Sequence, residues 1–300
     1  MWIIRHRKIW YILSGLLVAV SLSAVFFFGL RQGIEFTGGA LLEVEYEGAR
    51  PDIALIREKV NTLDLGNVVL QPSGEAGLIA RMRNLSEEEH QAILASLSLG
   101  ETPVKEIRFD SIGPVIGKEL RRKSLIAIAV VVVMIILYIS FAFRKVSQPV
   151  SSFKYGLMAI TALIHDVTIP VGVFAALGKY LGVEIDMLFV TALLTILGFS
   201  VHDTIVVFDR VRENLKKSNT GENFESIVGK SVNQTIVRSI NTSLTVLLVL
   251  FAFFFLGGES TKYFSLALII GVTVGTYSSM FLASPLLVTM EKWQNRKNNH

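Results

Sequence analysis

The stretch MLFVTALLTILGFSVHDTIVVF, which runs from Met187 to Phe208, decides the fold class of this chain. It is mostly apolar and has the length that one helix needs to cross a bilayer. Asp203 lies inside it, although an ionised carboxylate in hydrocarbon costs several kcal/mol. Because membrane helices that keep such a group mostly use it to move protons or ions, the stretch predicts a membrane protein with a proton site at Asp203.

The composition also indicates a membrane protein. Of the 300 residues, 51% are hydrophobic and only 18% are charged, and the charges collect between long apolar runs. This composition excludes an ordinary soluble enzyme. The formal net charge of +4 arises beside the apolar runs, so we assign it to orientation in membrane lipid and expect no nucleic-acid partner. The absence of cysteine excludes disulfides and thiolate metal sites.

Six apolar segments predict six transmembrane helices in a polytopic α-helical protein. They are Ile9–Leu30, Leu125–Phe143, Tyr155–Leu177, Met187–Phe208, Val237–Leu256 and Phe264–Met290. The first segment is too long for the core of a signal peptide and no small-residue cleavage site follows it, so we expect an uncleaved membrane helix. The chain then divides into residues 1–30 (N-terminus and first helix), 31–123 (a small domain with a lead-in helix) and 124–300 (helices two to six and the C-terminal tail).

The distribution of arginine and lysine predicts the orientation of these helices. Basic residues collect before the first span, between the second and third, between the fourth and fifth, and after the sixth. The short loops on the opposite side carry only Lys179 and Lys262. Because positively charged short loops stay in the cytoplasm, we expect cytoplasmic N- and C-termini and an extracytoplasmic location for residues 31–123.

Residues 31–123 have the pattern of a small α+β domain. Strand-like and helical segments follow in the order β-α-β-β-α-β, which is the ferredoxin-like arrangement. The segments are residues 40–46, 51–63, 67–71, 78–82, 86–97 and 103–109. A turn is predicted at Pro72-Ser73-Gly74, and Ser86 with Glu89 forms a capping-box pattern at the start of the second helix. Residues 113–123 are expected to form a helical lead-in to the second span.

Arg238, near the start of the fifth span, is the first candidate partner for Asp203. If the fifth helix begins near Val232, both side chains lie at about the same depth. The guanidinium would then keep the carboxylate ionised until a proton or a conformational change competes for it. The alternative is that Arg238 extends to the headgroups as an ordinary cytoplasmic-side charge. The sequence leaves both open.

Other ionisable side chains lie inside the predicted spans. Asp166 is near the middle of the third span, next to His165, and it is either a second proton site or a hydrogen-bond acceptor between helices. His202 lies beside Asp203. It either relays protons near neutral pH or holds a neutral ring that bonds a neighbouring helix.

Small residues recur at every fourth position of the sixth span. They are Ala267, Gly271, Gly275, Ser279 and Ala283. Such a stripe lets another helix approach closely, so we predict a packing face. Together with the polar residues of the fifth span, it is a candidate contact for a partner subunit.

Common catalytic motifs are absent from the sequence. It contains no G-x-x-x-x-G-K loop for nucleotide phosphates, no H-E-x-x-H metal motif and no apparent Ser/His/Asp hydrolase motif. We therefore expect a transport protein without enzymatic activity, bound metal or cofactor.

Several motifs occur in an order that resembles one family. The most specific are GFSVHDTIVVFDRVREN at 198–214 and GIEFTGG at 33–39, in which Gly33, Phe36, Thr37, Gly38 and Gly39 carry the pattern. Supporting motifs are SIGPVIGKEL at 111–120, HDVTIPVGVFAALG at 165–178 and RSINTS at 238–243. The whole chain resembles the SecF subunits of SecD–SecF complexes, which are small relatives of the resistance-nodulation-division transporters.

The resemblance implies a role in bacterial protein secretion. It implies a subunit of the cytoplasmic (inner) membrane that works with SecD, beside the SecYEG channel and SecA, with YajC as a further partner. Such complexes use the proton-motive force, with protons as the coupling ion, to pull or release a translocating preprotein. The family's intramembrane aspartate, which is required for proton passage, matches Asp203, and its fifth-helix arginine matches Arg238. Protonation of Asp203 would then weaken its link to Arg238 and let the helices repack.

This chain departs from the family pattern at two positions. His202 stands where asparagine is common, which leaves its part in proton relay open, and Glu35 stands where many relatives have aspartate. Two other functions remain as alternatives: a structural or assembly subunit whose charges only join helices, and a small-molecule exporter of the same superfamily.

Overall fold

The computed structural model describes residues 2–98, 103–142, 152–218 and 222–298. The chain forms two compact units: Met1–Arg31 with Ala127–His300, here called the helical unit, and Gln32–Ile126, here called the α+β unit.

The helical unit is built from long helices joined by short connections. Its elements are α1 (Trp2–Arg5), α2 (Arg7–Phe28), α7 (Ser152–Leu181), α8 (Met187–Lys217), α9 (Phe224–Leu256), α10 (Glu259–Ser278), a π-helical segment (Ser279–Ala283) and α11 (Ser284–Asn298), with α6 (Pro114–Ala142) contributing to both units. Six of the helical stretches described are long and apolar enough to cross a membrane, as the sequence predicted.

The helices extend beyond the apolar segments. α8 continues past Phe208 to Lys217, and α9 begins at Phe224, well before the predicted span. Ion pairs one turn apart support the polar extension of α8: Glu213 pairs with both Arg210 and Lys217. Hydropathy marks only the part of a helix that lies in lipid, so it underestimates helix length. Phe143, the predicted end of the second span, lies outside the described residues.

The π-helical segment interrupts the sixth span just before Pro285. Proline has no N–H to donate one turn back, and its ring crowds that turn. A local change from α to π register relieves this conflict, and such segments are frequent at functional sites.

The helical unit packs around α7, α8 and α10, which bury more of their surface than α2, α6 and α9. Glycine permits the closest of these contacts. A Cβ atom on Gly172 of α7 would lie only 2.4 Å from the Cα and Cβ atoms of Ser21 on α2. The two backbones therefore approach more closely than any other residue type allows.

We expect Gly172→Ala to destabilise the helical unit by about 1–3 kcal/mol, because the added methyl group overpacks a contact with backbone atoms. Gly15→Ala in α2 is the matched control, since no atom lies within 4 Å of its added Cβ. Thermal unfolding of the purified protein in detergent measures both variants. Equal melting temperatures for the two variants would contradict this account.

The α+β unit contains a four-stranded antiparallel sheet and three helices before α6. The strands are β1 (Gly39–Tyr46), β2 (Val69–Ser73), β3 (Gly77–Met82) and β4 (Val104–Ile112), and the helices are α3 (Ile34–Thr37), α4 (Ile53–Asn61) and α5 (Glu87–Leu97). The strand order is β2-β3-β1-β4. With α4 and α5 as the crossovers, this confirms the ferredoxin-like arrangement.

One local prediction for the α+β unit needs correction. Pro72 and Ser73 lie in β2, where they pair with Leu78 and Gly77, and the turn comes one to two residues later. β2 is at the sheet edge, where the missing N–H of proline costs no ladder bond. The lead-in helix predicted at residues 113–123 is the first part of α6, which starts at Pro114 and runs without interruption to Ala142.

The start of α5 carries the predicted capping box. The Ser86 hydroxyl accepts from the Glu89 amide, and the Glu89 carboxylate accepts from the Ser86 amide at 2.9 Å. Arg83 donates to both oxygens of the same carboxylate. The hydrogen bonds from Arg83 and then from Ser86 lower the pKa of Glu89 to about 2.

Glu89 is therefore expected to make the stability of the α+β unit depend on pH. Because its pKa is lower in the folded protein, its contribution is complete above the ordinary value of 4.5 and is lost as the pH falls toward 2. Glu89→Gln should flatten the pH dependence of the melting temperature in this window, as measured by calorimetry. Glu58→Gln, on the exposed face of α4, should leave the dependence as it is. An unchanged slope in Glu89→Gln would refute the assignment.

Candidate functional site

Asp203 lies in the interior of the helical unit, on α8. It is 6% exposed, and two serine hydroxyls from two other helical elements hold its carboxylate. Ser239 on α9 donates to Oδ1 at 2.5 Å, and Ser279 at the start of the π-helical segment donates to Oδ2 at 2.7 Å. The carboxylate therefore joins three elements of the bundle through neutral donors.

The structure contradicts the expected ion pair between Asp203 and Arg238. Arg238 is exposed and makes no hydrogen bond or ion pair through its side chain with the described residues. Successive residues of a helix point about 100° apart, so Ser239 faces the carboxylate and Arg238 turns outward. The prediction considered the depth of Asp203 and Arg238 in the membrane but not the face of α9 on which Arg238 lies.

Asp166 is a second interior carboxylate, on α7, and it is fully buried. Ser200 of α8 and Ser278 of α10 both donate to its Oδ2, the latter at 2.7 Å. The Nδ1 atom of His165 lies 2.8 Å from Oδ1. Like Asp203, Asp166 therefore connects three helices and has no arginine or lysine partner among the described residues.

His202 does not join either carboxylate. Its side chain is exposed on α8, and it has no hydrogen-bond partner in the part of the chain that the structure describes. The expected neutral ring bonded to a neighbouring helix is therefore not observed within this chain.

The small-residue stripe packs inside this chain and not against a partner. A Cβ atom on Gly271 would lie 2.2 Å from the Ile196 side chain, and one on Gly275 would lie 3.1 Å from the Cβ atom of Ser200. The stripe brings α10 close to α8, which lets Ser278 and Ser279 reach the two carboxylates. The proposed contact of this face with another subunit is wrong.

The sequence pattern does not mark these serines as carboxylate donors. Ser279 belongs to the pattern only as a small residue of the sixth span, and Ser200, Ser239 and Ser278 belong to no predicted site. The spacing of Ser200 gives no usable signal, because it lies three residues before Asp203 on α8 but donates to Asp166 on α7. Which helix each hydroxyl faces could not be read from one sequence.

The motif at residues 33–39 forms α3 and the first residue of β1. Phe36 is 5% exposed, and the Thr37 hydroxyl donates to the Gly33 carbonyl at 3.1 Å. Gly38 and Gly39 have φ angles of 77° and 134°. A Cβ atom on Gly38 would lie 2.7 Å from the Cα atom of Pro114, and one on Gly39 would lie 2.7 Å from the Met82 carbonyl oxygen.

These contacts explain the glycines physically. Both conformations are rare for residues with a side chain, and neither position leaves room for one. Gly117 is equally tight, because its Cβ atom would lie 2.8 Å from the Gly38 nitrogen. The motif thus holds the N-terminal end of α6 against the start of β1. No group of three metal-binding side chains occurs among the described residues.

The fold matches known proteins. The chain superposes on the solved SecDF of Thermus thermophilus, described as a translocon-associated membrane protein, with a TM-score of 0.82 and 32% identity. A second structure, SecDF in a super-membrane-facing form, gives a TM-score of 0.65 at 32% identity. The alignments cover 97% and 100% of this chain, which spans only 38% and 39% of those longer chains. These likenesses define a membrane protein of the protein-export class.

The sequence comparisons narrow the class to a family. The family of protein export membrane proteins SecD/SecF, C-terminal, matches residues 94–293, and the SecD/SecF GG motif matches residues 23–49. The protein translocase subunit SecF of Thermobaculum terrenum is 45% identical, and that of a Synechocystis species is 38% identical. Each alignment covers 98% of this chain, and 94% and 95% of the respective relative. The chain belongs to the SecD/SecF family, and the relatives that it matches over their length are SecF subunits.

We expect Gly39→Ala to loosen the α+β unit more than Gly48→Ala. Both positions have positive φ angles, but a Cβ atom on Gly48 meets no atom within 4 Å, so the pair separates contact from strain. The contact should cost a further ~1–3 kcal/mol, visible as faster amide hydrogen exchange in β1 and β3 of the full protein. Similar exchange rates in both variants would exclude a steric role for Gly39.

Proposed function

We propose that this chain couples proton movement to preprotein export, with Asp203 as the proton-carrying group. The observation that carries the proposal is a carboxylate at 6% exposure inside a membrane-spanning helix, held by Ser239 and Ser279. A carboxylate in such a place is costly, and the family to which the chain belongs is one of protein export.

The type of donor suits a site that changes protonation state. A hydroxyl has one proton to donate and two lone pairs to accept. It can therefore donate to an ionised carboxylate and accept from a protonated one. A guanidinium can only donate and would hold the site in its ionised form. Asp203 can thus gain and lose a proton without losing its contacts to α9 and the π-helical segment.

The proton-motive force supplies enough energy for this role. A potential of 100 mV provides about 2.3 kcal/mol per charge. This energy changes the equilibrium constant between two conformations by a factor of between about 10 and 100. In the proposed cycle, a proton reaches Asp203 from the outer side and leaves to the cytoplasm. The intervening repacking of the helices acts on the α+β unit, which we place outside the bacterial cytoplasmic membrane, with both termini in the cytoplasm.

In this proposal Arg238 contacts a partner subunit and does not pair with Asp203. It lies on an outward face of α9 with Asn241, Thr242 and Thr245, all exposed. An arginine and an asparagine facing lipid are expensive, so a polar partner surface should cover them. SecD is the natural partner, because the matching solved proteins are SecDF. SecYEG with SecA, YajC and the preprotein complete the proposed assembly through the family resemblance.

The test is export and proton flux in vesicles that contain this chain with SecD, SecYEG and SecA. We expect Asp203→Asn to reduce both signals to the level measured without an imposed proton gradient, while assembly with SecD is retained. Asp209→Asn is the matched control, since Asp209 is an exposed residue of the same helix. Undiminished flux and export in Asp203→Asn would favour a scaffolding subunit.

A further inference from the structure

Asp166 has the surroundings of a titrating group as well as those of a structural acceptor. It is fully buried, and its partners come from three elements: His165 on its own helix, Ser200 on α8 and Ser278 on α10. None of these partners has a fixed charge. Because an ionised carboxylate without a cation is costly in lipid, and serine can both donate and accept, this site accommodates a proton as well as Asp203 does.

His165 adds a second reason to regard Asp166 as a titrating group. The ring is 3% exposed, and its Nε2 atom has no hydrogen-bond partner among the described residues. A buried polar atom of this kind needs an explanation beyond stability. With Nδ1 on a carboxylate and Nε2 unengaged, the imidazole can exchange a proton at one nitrogen while it holds Asp166 with the other.

Consecutive hydroxyls connect Asp166 to Asp203. Ser278 donates to Asp166 at 2.7 Å, and Ser279 donates to Asp203 at 2.7 Å. Each hydroxyl also has a backbone carbonyl within reach, three residues earlier: Ser278 at 3.1 Å and Ser279 at 3.0 Å. A hydroxyl has only one proton to donate. It can therefore donate a full hydrogen bond either to the carboxylate or to the backbone carbonyl of its own helix, but not to both.

The helices that carry these groups depart from regular α-helical hydrogen bonding near Asp166 and at Ser279. Pro170 of α7 cannot donate to the carbonyl of Asp166, four residues earlier. The π-helical segment begins at Ser279 itself, and the Ser284 hydroxyl donates to the Ser279 carbonyl at 2.8 Å. Helix stretches without regular bonding can change register at lower cost than a regular α-helix.

We infer that Asp166 is a second proton-binding site, and that Ser278 and Ser279 couple its protonation to that of Asp203. When a carboxylate binds a proton, its new O–H group becomes a donor, and the serine that faced it turns to its own backbone carbonyl. This changes the hydrogen bonding at the start of the π-helical segment, which both serines share. The inference rests on the proposed function, since it gives the proton site at Asp203 a coupled neighbour.

Other titratable groups near the pair are few. His165 is the only ionisable side chain among the described residues that bonds either carboxylate. Tyr277 of α10 lies with its ring 6.0 Å from that of His165, and its hydroxyl bonds Ser14 on α2. His202 on α8 and Arg238 on α9 are exposed. The coupling between the carboxylates therefore passes through hydroxyl groups.

The test is infrared difference spectroscopy of the complex with SecD in lipid membranes across a range of pH. Asp166→Asn and Asp203→Asn identify the carboxylic-acid band of each residue. We expect the Asp166 band to titrate, and its midpoint to move by about one pH unit in Asp203→Asn, which corresponds to a coupling of ordinary size. The inference is overturned if the Asp166 band does not change with pH, or if its midpoint is the same with and without Asp203→Asn.

Four serine variants test the route of the coupling. Ser278→Ala and Ser279→Ala should each abolish the shift that Asp203→Asn causes in the Asp166 band. Ser200→Ala removes a donor from Asp166 without touching the serine pair, so the shift should persist. Ser265→Ala, a buried serine of α10 that bonds only its own helix, controls for packing. A shift that survives in Ser278→Ala and Ser279→Ala, or is lost equally in Ser200→Ala, overturns the serine pair as the route.

The spectroscopic result is separable from the proposed function. Proton flux and export in Asp203→Asn test the proposed function. The infrared midpoints test the coupling between the two carboxylates, whether or not export is measured. Normal export in Asp203→Asn would refute the proposed function. Uncoupled titration with impaired export would refute only the present inference.

Discussion

The hydrogen bonds from serine to two buried carboxylates are the interactions on which the helical unit depends. Asp166 and Asp203 each draw donors from two other elements, Ser200 with Ser278 and Ser239 with Ser279. In a membrane, apolar packing gives little net drive for helix association, because lipid tails are as apolar as leucine. Polar contacts that lipid cannot replace therefore specify which helices meet and in which register.

These contacts demand a close approach between helices, and small residues supply it. A serine side chain is short, so its oxygen reaches a carboxylate only if the two backbones nearly touch. Gly271 and Gly275 allow α10 to lie against α8 at this distance, where a Cβ atom on Gly271 would overlap Ile196. The small-residue stripe and the carboxylate sites are thus parts of one arrangement. A larger residue in the stripe would withdraw the donors from the acids.

The sequence revealed the fold more fully than the site. Six spans and a ferredoxin-like order follow from hydropathy, strand alternation and one capping box, because each is a local pattern with a known period. Asp203 and Asp166 were also found, since a charge in an apolar run is conspicuous. Their partners were not found, because the face of a helix depends on tertiary packing, and Ser239 differs from Arg238 by one position. The predicted turn begins too early, at Pro72, because only the sheet order shows that β2 lies at an edge, where proline is tolerated.

The outward position of Arg238 extends the argument beyond this chain. Within the helical unit the carboxylates are satisfied by hydroxyls, and the guanidinium finds no partner among the described residues. A cation on the face of a membrane helix is stable only beside water, a headgroup or a partner's polar surface. Since Ser239 and Arg238 are adjacent on α9, any movement that withdraws Ser239 from Asp203 also turns Arg238. In the proposed assembly, a partner surface that covers Arg238 would therefore sense the proton site through one helix.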